Sequence, residues 1–278
     1  MKNIAVLLTV FNRKDVTLKG LHSLYKAVAM LGEGYSFDIY MTDDGSSDGT
    51  GEAVAKEFPD VRIVNGNGKL FWSGGMRKAW QAAVDSGNAY DFFLWFNDDV
   101  ELYEDALVTL FDSYGKCGPD CLITGAFHDR EGGPSYGGRT KGGSSLAPDG
   151  SCREVALMNG NLVLIPYAAF CKLGTIDKAF IHSVGDYDYG LRARKQGFDV
   201  RLTTKYVGVC DRHDRDCPRF FDPKLGLKAR WKSSYSPQNS PFSYFAFVRR
   251  HEGLGKAVMF FVWRNFYTVF PRLYEKKG

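Results

Sequence analysis

The sequence predicts an α/β fold, with a single mostly parallel sheet flanked by helices and a C-terminal helical, basic-aromatic extension. Three observations lead there. Short apolar runs of the buried-strand type recur at residues 4–10, 37–42, 61–64 and 92–96. Segments with helical spacing lie between them, the alternation expected of a parallel sheet covered on both faces. Charge then changes sign near residue 200. Residues 1–200 hold 20 Lys+Arg against 26 Asp+Glu, a net of −6, whereas residues 201–278 hold 16 against 6, a net of +10. The same two stretches carry 25 and 16 aromatic residues, so the shorter one is the richer. With 44% hydrophobic and 24% charged positions in 278 residues, disorder, collagen and coiled coil are excluded, and the length suits one large domain with an appendage.

The elements follow in order. After the first strand, residues 16–30 place Leu18, Leu21, Leu24, Tyr25 and Val28 at helical spacing. The second strand ends in Asp43-Asp44-Gly45-Ser46-Ser47-Asp48-Gly49-Thr50, a turn cluster that opens a helix with Asp48 or Thr50 as N-cap. Helices are expected at 75–86 and 104–114, a strand at 122–124, a strand at 162–165, a helix from about Ala168, and a helix over 186–196 closed by Gly197. Residues 129–150 are rich in Gly and Ser and read either as a lid or as a loose surface hairpin.

Several classes drop out. The apolar N-terminal run is short, lacks a small-residue cleavage site and is interrupted by Asn12-Arg13-Lys14-Asp15, so it reads as a buried strand, with retention in the cytoplasm expected. No apolar run approaches the roughly 18–20 residues that span a bilayer. Six cysteines are too few for a disulfide scaffold, and Cys210, His213 and Cys217 lack a fourth zinc ligand, so buried or incidental thiols are expected. There is no phosphate-binding G-x-x-x-x-G-K-[ST], and Phe11-Asn12-Arg13 replaces the G-x-G-x-x-G of dinucleotide sites. The acidic body argues against a nucleic-acid partner.

Ligands of open α/β sheets bind outside the carboxyl ends of the strands, and the polar clusters stand there. Asp43 or Asp44 can accept from a base N–H or ribose hydroxyls, or can simply hold a turn. Asn97-Asp98-Asp99 ends the very apolar run Phe92-Phe93-Leu94-Trp95-Phe96, where carboxylates are costly unless solvated or bound to a cation. Such hard oxygen ligands suit Mg2+ or Mn2+ on a diphosphate. In Gly185-Asp186-Tyr187-Asp188-Tyr189-Gly190-Leu191-Arg192, Asp188 and Arg192 are four apart on a helix and can pair, leaving Asp186 as base or as cap.

Taken together, Thr9-Val10-Phe11-Asn12-Arg13, the Asp43–Thr50 string, Asn97-Asp98-Asp99 and Gly185-Asp186-Tyr187-Asp188 with Leu191-Arg192 resemble the family-2 glycosyltransferases over about residues 1–210. The resemblance implies a GT-A fold over residues 1–212, an extension over 213–278, and inverting, metal-dependent hexosyl transfer from a nucleoside-diphosphate sugar in surface polysaccharide or glycolipid assembly. It implies that Thr9, Val10, Phe11, Arg13, Asp43, Asp44, Asn67, Trp72, Gly74, Asn97 and Asp98 bind a UDP- or dTDP-type donor. Asn159, Gly160, Asn161 and Asp188 would meet the transferred sugar and a sugar or lipid-linked acceptor. Asp99 and His213 would hold Mg2+ or Mn2+, and Asp186 would be the catalytic base. Asn97 stands where the metal motif begins with an acid, Gly185 where a Glu usually precedes the base, and Arg77 where a helix-start Asn is common.

Two other functions share some of these features. A sugar-phosphate nucleotidylyltransferase would bring a Gly-rich loop after the first strand, which Phe11-Asn12-Arg13-Lys14 lacks. A degenerate nucleotide-sugar-binding module would fit Asn97 and Gly185. In the extension, residues 256–270 mix Val258, Phe260, Phe261, Val262, Trp263, Phe266, Tyr267, Val269 and Phe270 with Arg264, beside Arg249-Arg250, Arg272 and Lys276-Lys277. That composition fits a helix lying on an anionic membrane, and equally a helix packed on the body or across a homodimer.

Overall fold

The computed structural model describes residues 1–212 and 218–275. His213 and Cys217, two members of the Cys-His-Cys cluster, lie outside the described residues. In chain order the elements are β1 (Lys2–Val10), α1 (Lys14–Leu31), β2 (Tyr35–Asp43), α2 (Thr50–Glu57), β3 (Arg62–Asn65), α3 (Phe71–Asp85), β4 (Phe92–Phe96), β5 (Glu101–Leu102), α4 (Ala106–Cys117) and β6 (Cys121–His128). There follow β7 (Gly138–Arg139), β8 (Leu157–Met158), β9 (Leu162–Pro166), α5 (Tyr167–Leu173), α6 (Gly185–Lys195) and β10 (Asp199–Val209). The C-terminal helices are α7 (Leu227–Ser234), α8 (Pro241–Glu252), α9 (Leu254–Val269) and α10 (Arg272–Glu275).

Eight strands form one sheet in the order β3-β2-β1-β4-β9-β6-β10-β5. The first four are parallel, β10 is parallel to β6, and β9 and β5 run antiparallel to their neighbours. The sheet is therefore mostly parallel, as expected. Strand β4 shows why its sequence is apolar throughout. Phe92, Leu94 and Phe96 enter the core under α1 and α4, while Phe93 and Trp95 enter the core on the opposite face, beneath α3 and α6.

Two close approaches tie helices to strand ends. A Cβ on Gly75 of α3 would stand 2.0 Å from Thr9 Oγ1, and one on Gly20 of α1 would stand 2.2 Å from the Asp98 carbonyl oxygen. Only glycine allows these helices to seat so low on the sheet. The 129–150 segment is a loose hairpin, with isolated bridges His128–Pro134 and Arg139–Ser145 and the two-residue pair β7–β8.

Cys117 and Cys152 form a disulfide, which corrects the expectation of unpaired thiols for these two. The chain returns to the end of α4 because Arg153 pairs with β10 through Leu202 N–H, bringing the two Cα atoms to 5.9 Å. Cys121 and Cys210 are buried and Cys171 is exposed, all as free thiols.

Candidate active site

A cleft of about 690 Å3 opens over the carboxyl ends of β1 and β4, within the size range of small-ligand sites. Its floor forms for a topological reason. Because β9 runs antiparallel to β4, the start of β9 lies beside the end of β4, and Phe96 pairs with Leu162. Asn159-Gly160-Asn161 is thereby delivered to Asn97-Asp98-Asp99, and Asn97 N–H donates to the Asn161 carbonyl at 2.9 Å.

The carboxylates here have distinct partners. Asp98 is buried, accepts from Thr17 Oγ1 at 2.5 Å, and pairs with Arg13 Nη1 at 2.9 Å. Burial pushes its carboxyl above the ordinary range, with the Arg13 charge opposing. Arg13 also reaches Asp99 Oδ2 at 3.4 Å, so one guanidinium bridges both acids at the cleft wall. Asp44 accepts four backbone N–H groups, from Asn67 (3.2 Å), Gly68 (2.9 Å), Leu70 (2.9 Å) and Phe71 (3.0 Å). It thus folds the 66–71 loop along the cleft edge.

Asn97 accepts from Trp72 Nε1–H at 2.8 Å. An indole N–H only donates, so the amide oxygen must face it and the amide NH2 is turned the other way. One amide oxygen is thus committed to Trp72.

Asp186 lies in the first turn of α6 and lines the cleft. It accepts from Gly160 N–H at 3.0 Å and from Tyr187 N–H at 2.9 Å. Burial pushes its carboxyl up to about 6, although both backbone donors favour the ionised form. A Cβ on Gly160 would meet Trp72 at 2.6 Å, so glycine lets the indole, Asp186 and the 159–161 loop converge. Position 185 is equally tight: a Cβ there would stand 2.7 Å from Ser73 Oγ and 3.2 Å from Ile176 Cγ2. The glycine in place of the usual Glu follows from α6 pressing on α3.

Among the described residues, three that are not glycine adopt positive φ: Asn12 (50°), Phe71 (54°) and Val184 (59°). Phe71 and Val184 line the cleft, and Asn12 lies between the lining residues Phe11 and Arg13. A β-branched residue in this region is a steric outlier, and such strain gathers at functional sites. Val184 immediately precedes the helix that carries Asp186.

Of the residues expected from sequence, Thr9, Val10, Phe11, Arg13, Asp44, Trp72, Asn97, Asp98, Asp99, Asn159, Gly160, Asn161 and Asp186 line this one cleft. Asp43, Asn67, Gly74 and Asp188 do not. Asp43 is turned into the Asp43–Thr50 turn, accepting Ser46 N–H at 2.8 Å, and Asn67 accepts Lys69 N–H at 3.0 Å. Gly74 is buried in α3 against Leu70. Asp188 is the larger correction. It is fully buried behind α6, accepting from Arg192 Nε at 2.8 Å, Arg250 Nη1 at 2.8 Å and His251 Nε2 at 2.9 Å. Burial alone would raise its carboxyl, but these donors, His251 foremost, hold it below its ordinary value. His213 lies outside the described residues.

Sequence reasoning missed Tyr136, His182, Tyr187, Gln238 and Tyr244 in the lining. Tyr187 stood inside a quoted motif, but the others carry no local pattern, and Gln238 and Tyr244 come from the extension. Burial and the nearby Arg13 charge lower His182 below its usual range, so its ring is neutral near pH 7. His182 Nδ1 and Asn159 Oδ1 are buried without a hydrogen-bond partner among the described residues, and both belong to cleft-lining residues. Such atoms point to a polar ligand.

The model of glycosyl transferase family 2 matches residues 5–171, more than half of the chain. The chain belongs to glycosyltransferase family 2. It is 23% identical to an N-acetylglucosaminyl-diphospho-decaprenol L-rhamnosyltransferase of Mycobacterium tuberculosis H37Rv, over 71% of this chain and 73% of the relative. Among solved structures it resembles S. aureus TarS 1–349 in complex with UDP-GlcNAc, with a TM-score of 0.58 and 11% identity over 100% of this chain and 93% of that one. It also resembles the mannosyltransferase PcManGT of Pyrobaculum calidifontis in complex with GDP-Man and Mn2+, with a TM-score of 0.54 and 13% identity over 97% and 86%. These likenesses establish the GT-A fold of this family-2 member, and the family makes it a sugar transferase using a nucleotide sugar. The nucleotidylyltransferase alternative is thereby set aside.

Proposed function

We propose that this family-2 enzyme transfers a sugar from a UDP- or dTDP-type donor to an acceptor hydroxyl with inversion, in bacterial-type surface polysaccharide or glycolipid assembly. The observation that carries the proposal is Asp186: a cleft carboxylate raised to about 6, ionised at neutral pH yet basic enough to accept a proton. Two backbone N–H groups fix its orientation. In a single displacement it would take the proton of the attacking hydroxyl while the bond from the anomeric carbon to the diphosphate breaks on the opposite face.

Donor binding is assigned to Thr9, Val10, Phe11, Arg13, Asp44 and Trp72, with Asn97 offering its NH2 as a donor toward phosphate or sugar oxygens. Among the described residues no cluster of three His, Cys, Asp or Glu side chains gathers as a metal cage. An ion here would be held by one carboxylate and completed by water and diphosphate oxygens, the habit of Mg2+ and of Mn2+ in its place. Asp99 would be that carboxylate, and the bound cation would offset charge on the leaving diphosphate.

The relative's name supports a lipid-linked acceptor, which would place the enzyme at the cytoplasmic face of a membrane. The Cys117–Cys152 disulfide runs against a reducing compartment, and thiol titration of freshly isolated protein would decide that point. A donor panel with Mn2+ and a polyprenyl-diphosphate sugar acceptor tests the activity. Acceptor-dependent release of nucleoside diphosphate is expected, and its absence for every donor would leave a binding module instead.

A further inference from the structure

The helix α9 exposes much of its apolar surface. Its buried positions are Ala257, Arg264 and Thr268. Its exposed positions are Leu254 (61%), Val258 (48%), Met259 (55%), Val262 (59%), Trp263 (45%) and Phe266 (39%), and beyond its end Phe270 and Leu273 continue the row. At about 100° per residue these six helix positions fall within one half of the surface, and no charged residue interrupts them. The one arginine of the helix points inward, donating to the carbonyls of Ser234 and Asn239 and lying over the Phe220 ring at 4.1 Å. Phe260, Phe261 and Tyr267 pack on Tyr244, Phe245 and Phe221, so only part of the apolar surface of α9 holds it to the protein and the row above is left exposed.

The exposed face continues onto neighbouring helices. On α7, Leu227 (50%) and Trp231 (42%) are exposed and four residues apart. Trp231 stacks on Tyr235, Tyr235 meets Phe242, and Phe242 meets Phe261 of α9, which makes one aromatic surface across α7, α8 and α9. Exposed cations border it: Lys228 and Lys232 next to the α7 pair, Lys256 at the edge of α9, and Arg272 beside Leu273. Residues 218–275 carry ten Lys+Arg against three Asp+Glu.

We infer that the α7–α9 face docks on an anionic lipid surface, with α9 lying in the plane of the interface. Apolar and aromatic side chains would enter the acyl boundary, and the cationic rim would meet lipid phosphates. Charge complementarity selects this occupant over a second copy. An isologous dimer through the same face would bring two cationic rims together, whereas anionic headgroups neutralise one. No described helix is long and apolar enough to cross a membrane, so the contact is peripheral. The same extension supplies Gln238 and Tyr244 to the cleft, so docking would hold the cleft near the bilayer. In that respect the inference deepens the proposed use of a lipid-linked acceptor, but the lipid contact itself does not depend on it.

The test is flotation of the full chain with phosphatidylcholine vesicles and with vesicles containing about 30% phosphatidylglycerol, a charge density that attracts basic segments. Binding to the anionic vesicles, at least tenfold above neutral ones and weakened by salt, is expected. The double variant V262E/F266E should lose that binding at least tenfold while keeping its thermal melt and its donor turnover with a soluble acceptor. Two results would overturn the inference: no binding to anionic vesicles, or a dimer by light scattering that V262E/F266E dissociates. Loss of turnover in the wild type with vesicle binding retained would overturn the proposed activity instead.

Discussion

The body and the extension both bury charge, but of opposite sign and with different partners. In the body the buried ions are carboxylates: Asp43, Asp44, Asp98 and Asp188. Two of them are met by cations, Asp98 by Arg13, and Asp188 by Arg192 and Arg250, with His251 Nε2 as a further donor to Asp188. Among the described residues of the extension the buried ions are Arg230 and Arg264, and their hydrogen-bond partners are backbone carbonyls and a serine, not acids. Burial lowers Arg264 to about 10, which leaves it charged at neutral pH. The body thus spends its buried acids on holding loops and helices around a cleft. The extension uses guanidiniums as clasps between helix ends, and it leaves an apolar row of α9 exposed.

The contrast can be broken at measurable points. The largest effect belongs to the body. Asp186→Asn should lower kcat about 10²–10⁴-fold while donor binding persists, as judged by calorimetry with the donor alone. In the wild type, protonation of Asp186 below about pH 6 removes the base, so kcat/KM should fall about tenfold per pH unit below that point and level off above it. Next, Asp188→Ala should destabilise by about 3–5 kcal/mol in urea unfolding, because it strands three cationic or polar donors in a buried site. Asp44→Ala should cost roughly 2–4 kcal/mol, since four backbone N–H groups lose their acceptor, and should also weaken donor binding.

Arg264→Met sharpens the comparison from the other side. Its partners are neutral, so no uncompensated charge remains, but the carbonyls of Ser234 and Asn239 lose their donor, and a loss of about 1–3 kcal/mol, below that of Asp188→Ala, is expected in the same assay. A loss as large as that of Asp188→Ala would show that the extension's clasps are no different in kind. The smallest effect is set by Asn97→Asp, which adds a carboxylate beside Asp99, the proposed cation ligand. It should lower the Mn2+ concentration for half-maximal donor turnover about tenfold.

Much of this was visible in the chain before folding. The strands that alternate with helices are fully apolar because both their faces are covered, so β1 and β4 announce themselves. The acidic clusters were found because parallel strands end on one side. What stayed hidden depends on distance in sequence. Strand β9 is an ordinary apolar run, and nothing local says that it inserts antiparallel between β4 and β6. Asp188 sits in a motif that resembles a site, yet its partners Arg250 and His251 lie 62 and 63 residues away, and they turn it into a buried anchor. In α9 an apolar residue falls on nearly every side, so periodicity alone could not tell which side is buried. The inward side is marked by Arg264, on carbonyls of α7 and the following turn, and by Phe260, Phe261 and Tyr267, on rings far from them in sequence or on the neighbouring helix.

The anchor at Asp188 reaches beyond stability. Arg250 and His251 of α8 grip α6 two residues from Asp186, Arg250 also pairs with Asp177 at 2.6 Å, and Ser183 donates to the Gln238 carbonyl. Asp186 and the extension are consequently one inheritable block. A chimaera that swaps only residues 213–278 between relatives would separate the acid from its cations, whereas a crossover before residue 174 would carry base, anchor and lipid-facing helices together. Exchange of acceptor preference by recombination should therefore succeed with the longer segment and fail with the shorter one.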